Sequence, residues 1–202
     1  MCDIGILAYG SLIEDPGKEI TPLIRKRIVG VQTPFHIEFA RSSLTRDGAP
    51  TVVPVEIGGA SAQAAILVLN EEVSIEKAKD LLWRRETRNE CTDKHYKKPL
   101  SSGPNKMVVE ELLKFGGVNT VLYTKLEPNI KDVTPEYLAE LAIKSAKSDS
   151  GKKGKDGISY LISLKRQGIA TPLMLRYEET ILAKTGTRSL EDALARICGE
   201  KA

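Results

Sequence analysis

Leu7-Ala8-Tyr9-Gly10-Ser11-Leu12 closes an apolar run over residues 3–9, and the run stops at Tyr9-Gly10-Ser11. That is the pattern of a strand entering a tight turn. Glycine lets the backbone turn sharply, and successive amide N–H groups after a strand form a concavity that suits an anion. Such a concavity takes a carboxylate, or the oxyanion that develops during acyl transfer. The plainer reading is a glycine turn at a strand end, and from spacing alone it is the better one. Ser11 as a nucleophile is disfavoured, because the G-x-S-x-G elbow needs glycine at positions 9 and 13, where Tyr9 and Ile13 stand.

Beyond this turn more strands are expected. Residues 27–40 carry alternating Phe35, Ile37 and Phe39, the period of a half-buried strand. Residues 51–57 and 62–69 are apolar segments joined at Gly58-Gly59 and are expected to form a hairpin. Residues 107–113 and 118–126 repeat the arrangement around Gly116-Gly117. One helix interrupts the strands, starting from Ser74 as N-cap, with Ile75, Ala78 and Leu82 at helical spacing, and running to about residue 86 or 88. A polar stretch over residues 89–105 reads as loop.

From Thr134 the chain becomes helical. Thr134-Pro135-Glu136 pairs an N-cap with proline at the first helical position, and Tyr137, Leu138, Leu141 and Ala142 supply an apolar face. A Lys- and Gly-rich break is expected over residues 148–157, then helices over 158–167, 172–184 and 190–198. The fold class expected is α+β: a mixed β-barrel or sheet with flanking helices. The chain reads as one domain, 1–202, with residues 1–130 as the barrel core and 131–202 as a helical C-terminal extension.

Composition narrows the function classes. The chain has 202 residues, 41% hydrophobic and 28% charged, which is the profile of a folded globular protein. A formal net charge of +3 is too small to imply a nucleic-acid partner. No apolar run approaches the ~20 residues needed to cross a bilayer, and Met1-Cys2-Asp3-Ile4 does not resemble a secretory signal, so a cytoplasmic protein without a membrane partner is expected. Cys2, Cys91 and Cys198 are scattered and odd in number, and the histidines are only His36 and His95, so neither a disulfide framework nor a metal site is expected. The segment Gly151-Lys152-Lys153-Gly154-Lys155 lacks the spacing of a phosphate loop.

The second feature with chemical potential is Glu86. On the helix beginning after Ser74, Ile75, Ala78, Leu82 and Glu86 follow at steps of three, four and four, which puts the carboxylate on the core-facing stripe. Partial negative charge at a helix C-terminus disfavours a carboxylate there, a setting that suits a group which must both take and give a proton. Arg84, Arg85 and Arg88 stand close enough in sequence for a structural ion pair, and Glu90 competes for the same role one turn on.

Together these residues resemble the gamma-glutamylcyclotransferase superfamily, and its ChaC-like branch most closely. The family's YGSL motif is matched by Tyr9-Gly10-Ser11-Leu12, and its R-E segment by Arg85-Glu86. The similarity continues through Phe39-Ala40-Arg41-Ser42-Ser43, the Gly58-Gly59 turn, and Tyr160-Leu161-Ile162-Ser163-Leu164 followed by Gly168-Ile169, so it covers most of the chain. The family's R-E-K-G-G-Y continues here as Arg85-Glu86-Thr87-Arg88-Asn89-Glu90, and glycine stands at 157 where the branch has asparagine.

The resemblance implies an enzyme, a lyase or acyltransferase without a cofactor, that releases 5-oxoproline from a small γ-glutamyl compound such as glutathione. It implies Glu86 as the catalytic proton shuttle, and Tyr9, Gly10, Ser11 and Leu12 as the residues that hold the glutamyl group. Arg41 as a carboxylate partner and Tyr123 as a pocket-lining hydroxyl complete the expected set. The alternatives are a non-catalytic module of the same fold that binds a small acidic metabolite, and a related activity on a larger γ-glutamyl acceptor.

Overall fold

The computed structural model describes residues 3–101 and 103–199. Cys2 and Ser102, which figured in the cysteine count and the polar loop, lie outside the described residues. The fold is α+β, with a six-stranded mixed sheet in the hydrogen-bonded order β3-β2-β4-β1-β6-β5. The strands are β1 (Ile4–Ala8), β2 (Ile24–Ser43), β3 (Ala49–Val55), β4 (Ala60–Leu69), β5 (Val108–Phe115) and β6 (Val118–Lys125). Two compact units share the chain, Met1–Pro34 with Ala62–Glu127, and Phe35–Ser61 with Pro128–Ala202.

In the first unit β1 pairs antiparallel with β4 and parallel with β6, and β6 pairs antiparallel with β5. The β5–β6 hairpin expected around Gly116-Gly117 forms, with Phe115 opposite Val118 and both glycines at positive φ (57° and 80°). Positive φ at both central residues is what a two-residue turn of matching twist demands. The expected helix also forms, as α2 (Ile75–Thr87), and Ser74 Oγ accepts from the Lys77 N–H at 3.2 Å. Its Ala78, Leu81 and Leu82 pack with Ile6 and Ala8 of β1, Leu67 and Leu69 of β4, Val109 and Leu122. One face of the sheet is thereby sealed under the helix.

In the second unit the latter part of β2 pairs antiparallel with β3, from His36 opposite Val55 to Ser43 opposite Ala49. This corrects the hairpin expected between residues 51–57 and 62–69, because β2 stands between β3 and β4 in the sheet order. The Gly58-Gly59 link still turns tightly, and Gly59 (φ 68°) lies where a Cβ would come 2.5 Å from the Ile37 carbonyl oxygen. The β2 ladder shifts register between Phe39 and Arg41, a bulge at which the Ala40 carbonyl accepts from the Asn129 and Ile130 N–H groups at 3.1 and 3.2 Å.

Four longer helices complete this unit: α3 (Pro135–Ala146), α5 (Gly157–Arg166), α6 (Met174–Thr185) and α7 (Leu190–Gly199). The break expected over 148–157 contains a further short helix, α4 (Asp149–Lys152), capped by Ser148 Oγ. The buried stripe of α3 is Leu138, Ala139, Ala142, Ser145 and Ala146; Tyr137, expected on it, is 45% exposed. Phe39 anchors the core here, packed edge-on against Tyr160 and Tyr177 at ring distances of 6.4 and 5.1 Å. Among the described residues no helix is long and apolar enough to cross a membrane.

Asp156 is fully buried and caps α5, with Oδ1 accepting from the Ile158 and Ser159 N–H groups and Oδ2 from Ser159 Oγ. Asp156→Ala removes all three bonds and is expected to cost about 1–2 kcal/mol. Chemical denaturation of the variant against the parent measures it, and an unchanged midpoint would contradict the cap.

Candidate active site

Gly10 ends β1 at φ 59° and ψ −137°, a combination that glycine adopts without strain, and it serves as N-cap of the single-turn helix α1 (Ser11–Glu14). Within the turn the Ile13 N–H donates to the Gly10 carbonyl at 3.1 Å and the Asp15 N–H to the Ser11 carbonyl at 3.0 Å. The N–H groups of Ser11 and Leu12 have no acceptor among the described residues. Leu12 drops its side chain into the cluster under α2, which fixes the turn to that side of the sheet. Tyr9 leaves in the other direction, its hydroxyl donating to the Thr124 carbonyl of β6 at 3.4 Å.

The last turn of α2 reaches the same place. Arg85 Nη2 donates to the Ser11 carbonyl at 3.2 Å, and Arg85 Nε to the Asp15 carbonyl at 3.0 Å. Its Nη1 pairs with Glu86 Oε1. Glu86 is thus linked to the Tyr9–Leu12 turn through one guanidinium, with its side chain 21% exposed. Of the three arginines around Glu86, it is Arg85 that pairs with it. Arg84 pairs with Glu19 instead, and Arg88 is the exposed, left-handed C-cap of α2 (φ 56°). The Asn89 N–H closes that cap onto the Arg84 carbonyl at 2.8 Å.

Glu90, the competitor for the role of Glu86, faces a different partner. Its Oε1 accepts from the Lys18 N–H at 2.7 Å, so it braces the loop after α1. Gly17 in that loop (φ 93°) has no room for a side chain, since a Cβ there would crowd Glu90 and lie 2.8 Å from Arg85 Cγ.

Tyr123 and Arg41 complete the expected set. Tyr123 faces Glu110 across the β5–β6 pair, and strand alternation puts it on the sheet side opposite Leu122, away from the face that α2 covers. Burial, and secondarily the charge of Glu110, push its phenol above the ordinary range. Arg41 belongs to the second unit, directly after the β2 bulge, and is 8% exposed; burial lowers the pKa of its guanidinium from the usual value.

Sequence reasoning did not find the pair that fastens α2 to the segment after α1. Arg84, 3% exposed, donates through Nε and Nη2 to the two oxygens of Glu19 at 2.9 and 2.8 Å, and through Nη1 to the Lys94 carbonyl at 3.0 Å. Nothing local to Arg84 announces the pair, because its partner lies 65 residues away. One step along, Asp80 accepts from the Tyr96 N–H at 2.7 Å and lies 2.6 Å from His95 Nδ1. Burial raises the Asp80 pKa, but these hydrogen bonds outweigh it and the net shift is downward. Cys91 and Cys198 are free and exposed. Among the described residues no group of three His, Cys, Asp or Glu side chains is placed to hold a metal ion.

The hydrogen bond from Arg84 holds the Glu19 carboxyl below its ordinary value of 4.5, against an opposing effect of burial. A depressed folded-state pKa contributes stability that is complete above the unfolded value, and is lost as pH falls through the folded one. Glu19→Gln is therefore expected to flatten the acid limb of the stability curve below about pH 4.5. At pH 7 it is expected to cost about 1–3 kcal/mol, because Arg84 loses a charged partner. Urea titrations between pH 3 and 7 measure both; a parallel acid limb in parent and variant would contradict the assignment.

No protein-family model matches the chain, and comparison with curated proteins gave no match.

Proposed function

We propose that the chain is a γ-glutamyl cyclotransferase-type enzyme, and that its mixed sheet is the barrel core of that family. The observation that carries the reading is the junction of the two motifs. The Arg85-Glu86 end of α2 is hydrogen-bonded to the Tyr9–Leu12 turn, 74 residues away in sequence, while the Ser11 and Leu12 amides have no acceptor among the described residues. A supporting detail is Arg88: it occupies the first glycine position of the family's R-E-K-G-G-Y and adopts the left-handed conformation that glycine favours.

In this reading the substrate supplies the nucleophile. Glu86 takes a proton from the α-ammonium of a γ-glutamyl group, and the freed amine attacks the γ-carbonyl carbon. The new C–N bond closes a five-membered ring and leaves a tetrahedral oxyanion, which the amides of Ser11 and Leu12 stabilise. Collapse of the oxyanion breaks the bond to the departing nitrogen, which takes back the proton held by Glu86 and also the second proton that the ring nitrogen sheds on closure, and so leaves as an ammonium. The products are 5-oxoproline and a free amine, amino acid or dipeptide. Tyr9 and Gly10 shape the turn that holds the glutamyl chain folded, and pre-orientation for ring closure lowers the barrier further. Arg41 and Tyr123 are assigned to substrate binding through the family resemblance.

A second reading is a binding module for a small acidic metabolite. It draws on the Arg85–Glu86 ion pair, which engages the carboxylate as a structural pair would. Incubation with glutathione and a panel of γ-glutamyl dipeptides and amines, read by mass spectrometry for 5-oxoproline, separates the two. The enzyme reading expects 5-oxoproline from at least one member; ligand binding without product favours the module.

Glu86→Gln keeps the shape and the acceptor for Arg85 but removes the titrating oxygen. Turnover is expected to fall by about 10²–10⁴-fold. Glu90→Gln preserves an acceptor for the Lys18 N–H and is expected to leave turnover within a few-fold. An active Glu86→Gln protein would refute the shuttle, and a folded but inactive Glu90→Gln protein would move the role to Glu90.

A further inference from the structure

We infer that Arg85 is the positioning residue of this site: anchored on the carbonyls of Ser11 and Asp15, its guanidinium fixes where the Glu86 carboxylate stands. The inference rests on the reading of Glu86 as the proton-transferring group.

Neighbouring residues on a helix point about 100° apart, so helical geometry does not by itself bring Arg85 and Glu86 together. Their contact is made by a guanidinium held at its other edge. Arg85 Nε and Nη2 both donate to the Asp15 carbonyl, and Nη2 also to the Ser11 carbonyl at 3.2 Å, which leaves Nη1 to meet Glu86 Oε1. The guanidinium is planar and its donors are rigidly arranged, so fixing one edge fixes the direction of the other. The arginine side chain is 11% exposed, and the loop after α1 is shaped around it, with Gly17 leaving room for the Arg85 stem. A lysine presents one point charge and cannot span both sides. Arg85 keeps its protons throughout and moves none of them; it sets the distance between the carboxylate and the amides that receive the oxyanion.

The test compares the parent with Arg85→Lys and Arg85→Gln on the γ-glutamyl substrate that the parent turns over best. Amide NMR spectra serve to confirm folding and to read the geometry. A misplaced catalytic group costs up to about 10²-fold, so Arg85→Gln is expected to lower kcat by about 10- to 100-fold with KM within about threefold. Arg85→Lys should recover part of that loss. In the spectra, Glu86→Gln should shift the Ser11 and Leu12 amides in the parent background and leave them nearly unmoved in the Arg85→Gln background. An active parent whose kcat survives Arg85→Gln overturns the role of Arg85 and leaves the function standing. Equal amide shifts in both backgrounds also overturn it. A parent that makes no 5-oxoproline from any panel member overturns the function, and the role of Arg85 in it.

Discussion

A helix end can be docked on a strand-to-turn junction only if something satisfies the backbone carbonyls that the junction exposes, and here Arg85 does so. The Ser11 and Asp15 carbonyls accept from one guanidinium, and that guanidinium in turn meets the Glu86 carboxylate. Below this contact lies the apolar packing that makes it possible. Leu12 from the turn and Leu81 and Leu82 from α2 belong to one buried cluster on the β1–β4–β6 face. Burial brings the two segments together; the arginine sets their register. The Arg84–Glu19 pair adds a second fastening on another side of the same helix.

What was legible in the sequence was what depends on nearby residues. β1, the Ser74 cap, the course of α2 and the Gly116-Gly117 hairpin follow from periodicities and turn residues within a dozen positions. The β3–β4 hairpin was misread because a turn signal such as Gly58-Gly59 fixes the direction of the chain, not the partner of the next strand. The partner is β2, twenty residues long, which turns onto β3 through Asp47-Gly48, both at positive φ. On α3 the expected Leu138 and Ala142 do face inward, together with Ala139, Ser145 and Ala146, whereas Tyr137, equally hydrophobic by type, stands outside that stripe.

The candidate site divides in the same way. Gly10 could be read as a turn that needs glycine, and Glu86 could be placed on a helix end by counting. That Arg85, not Arg84 or Arg88, pairs with Glu86 could not be counted, because it depends on carbonyls 70 and 74 positions earlier in the chain. Alternation on β6 puts Tyr123 on the sheet side away from α2, a consequence of register that only the β5–β6 and β1–β6 pairings define.

In the proposed function the nucleophile belongs to the substrate. The most direct measurement uses a γ-glutamyl substrate labelled with ¹⁵N at the α-amine, turned over in water enriched in ¹⁸O and analysed by mass spectrometry. Intramolecular attack predicts 5-oxoproline that carries the ¹⁵N in its ring and no ¹⁸O. Glutamate carrying ¹⁸O in its γ-carboxylate would show that water, not the substrate's own amine, is the nucleophile.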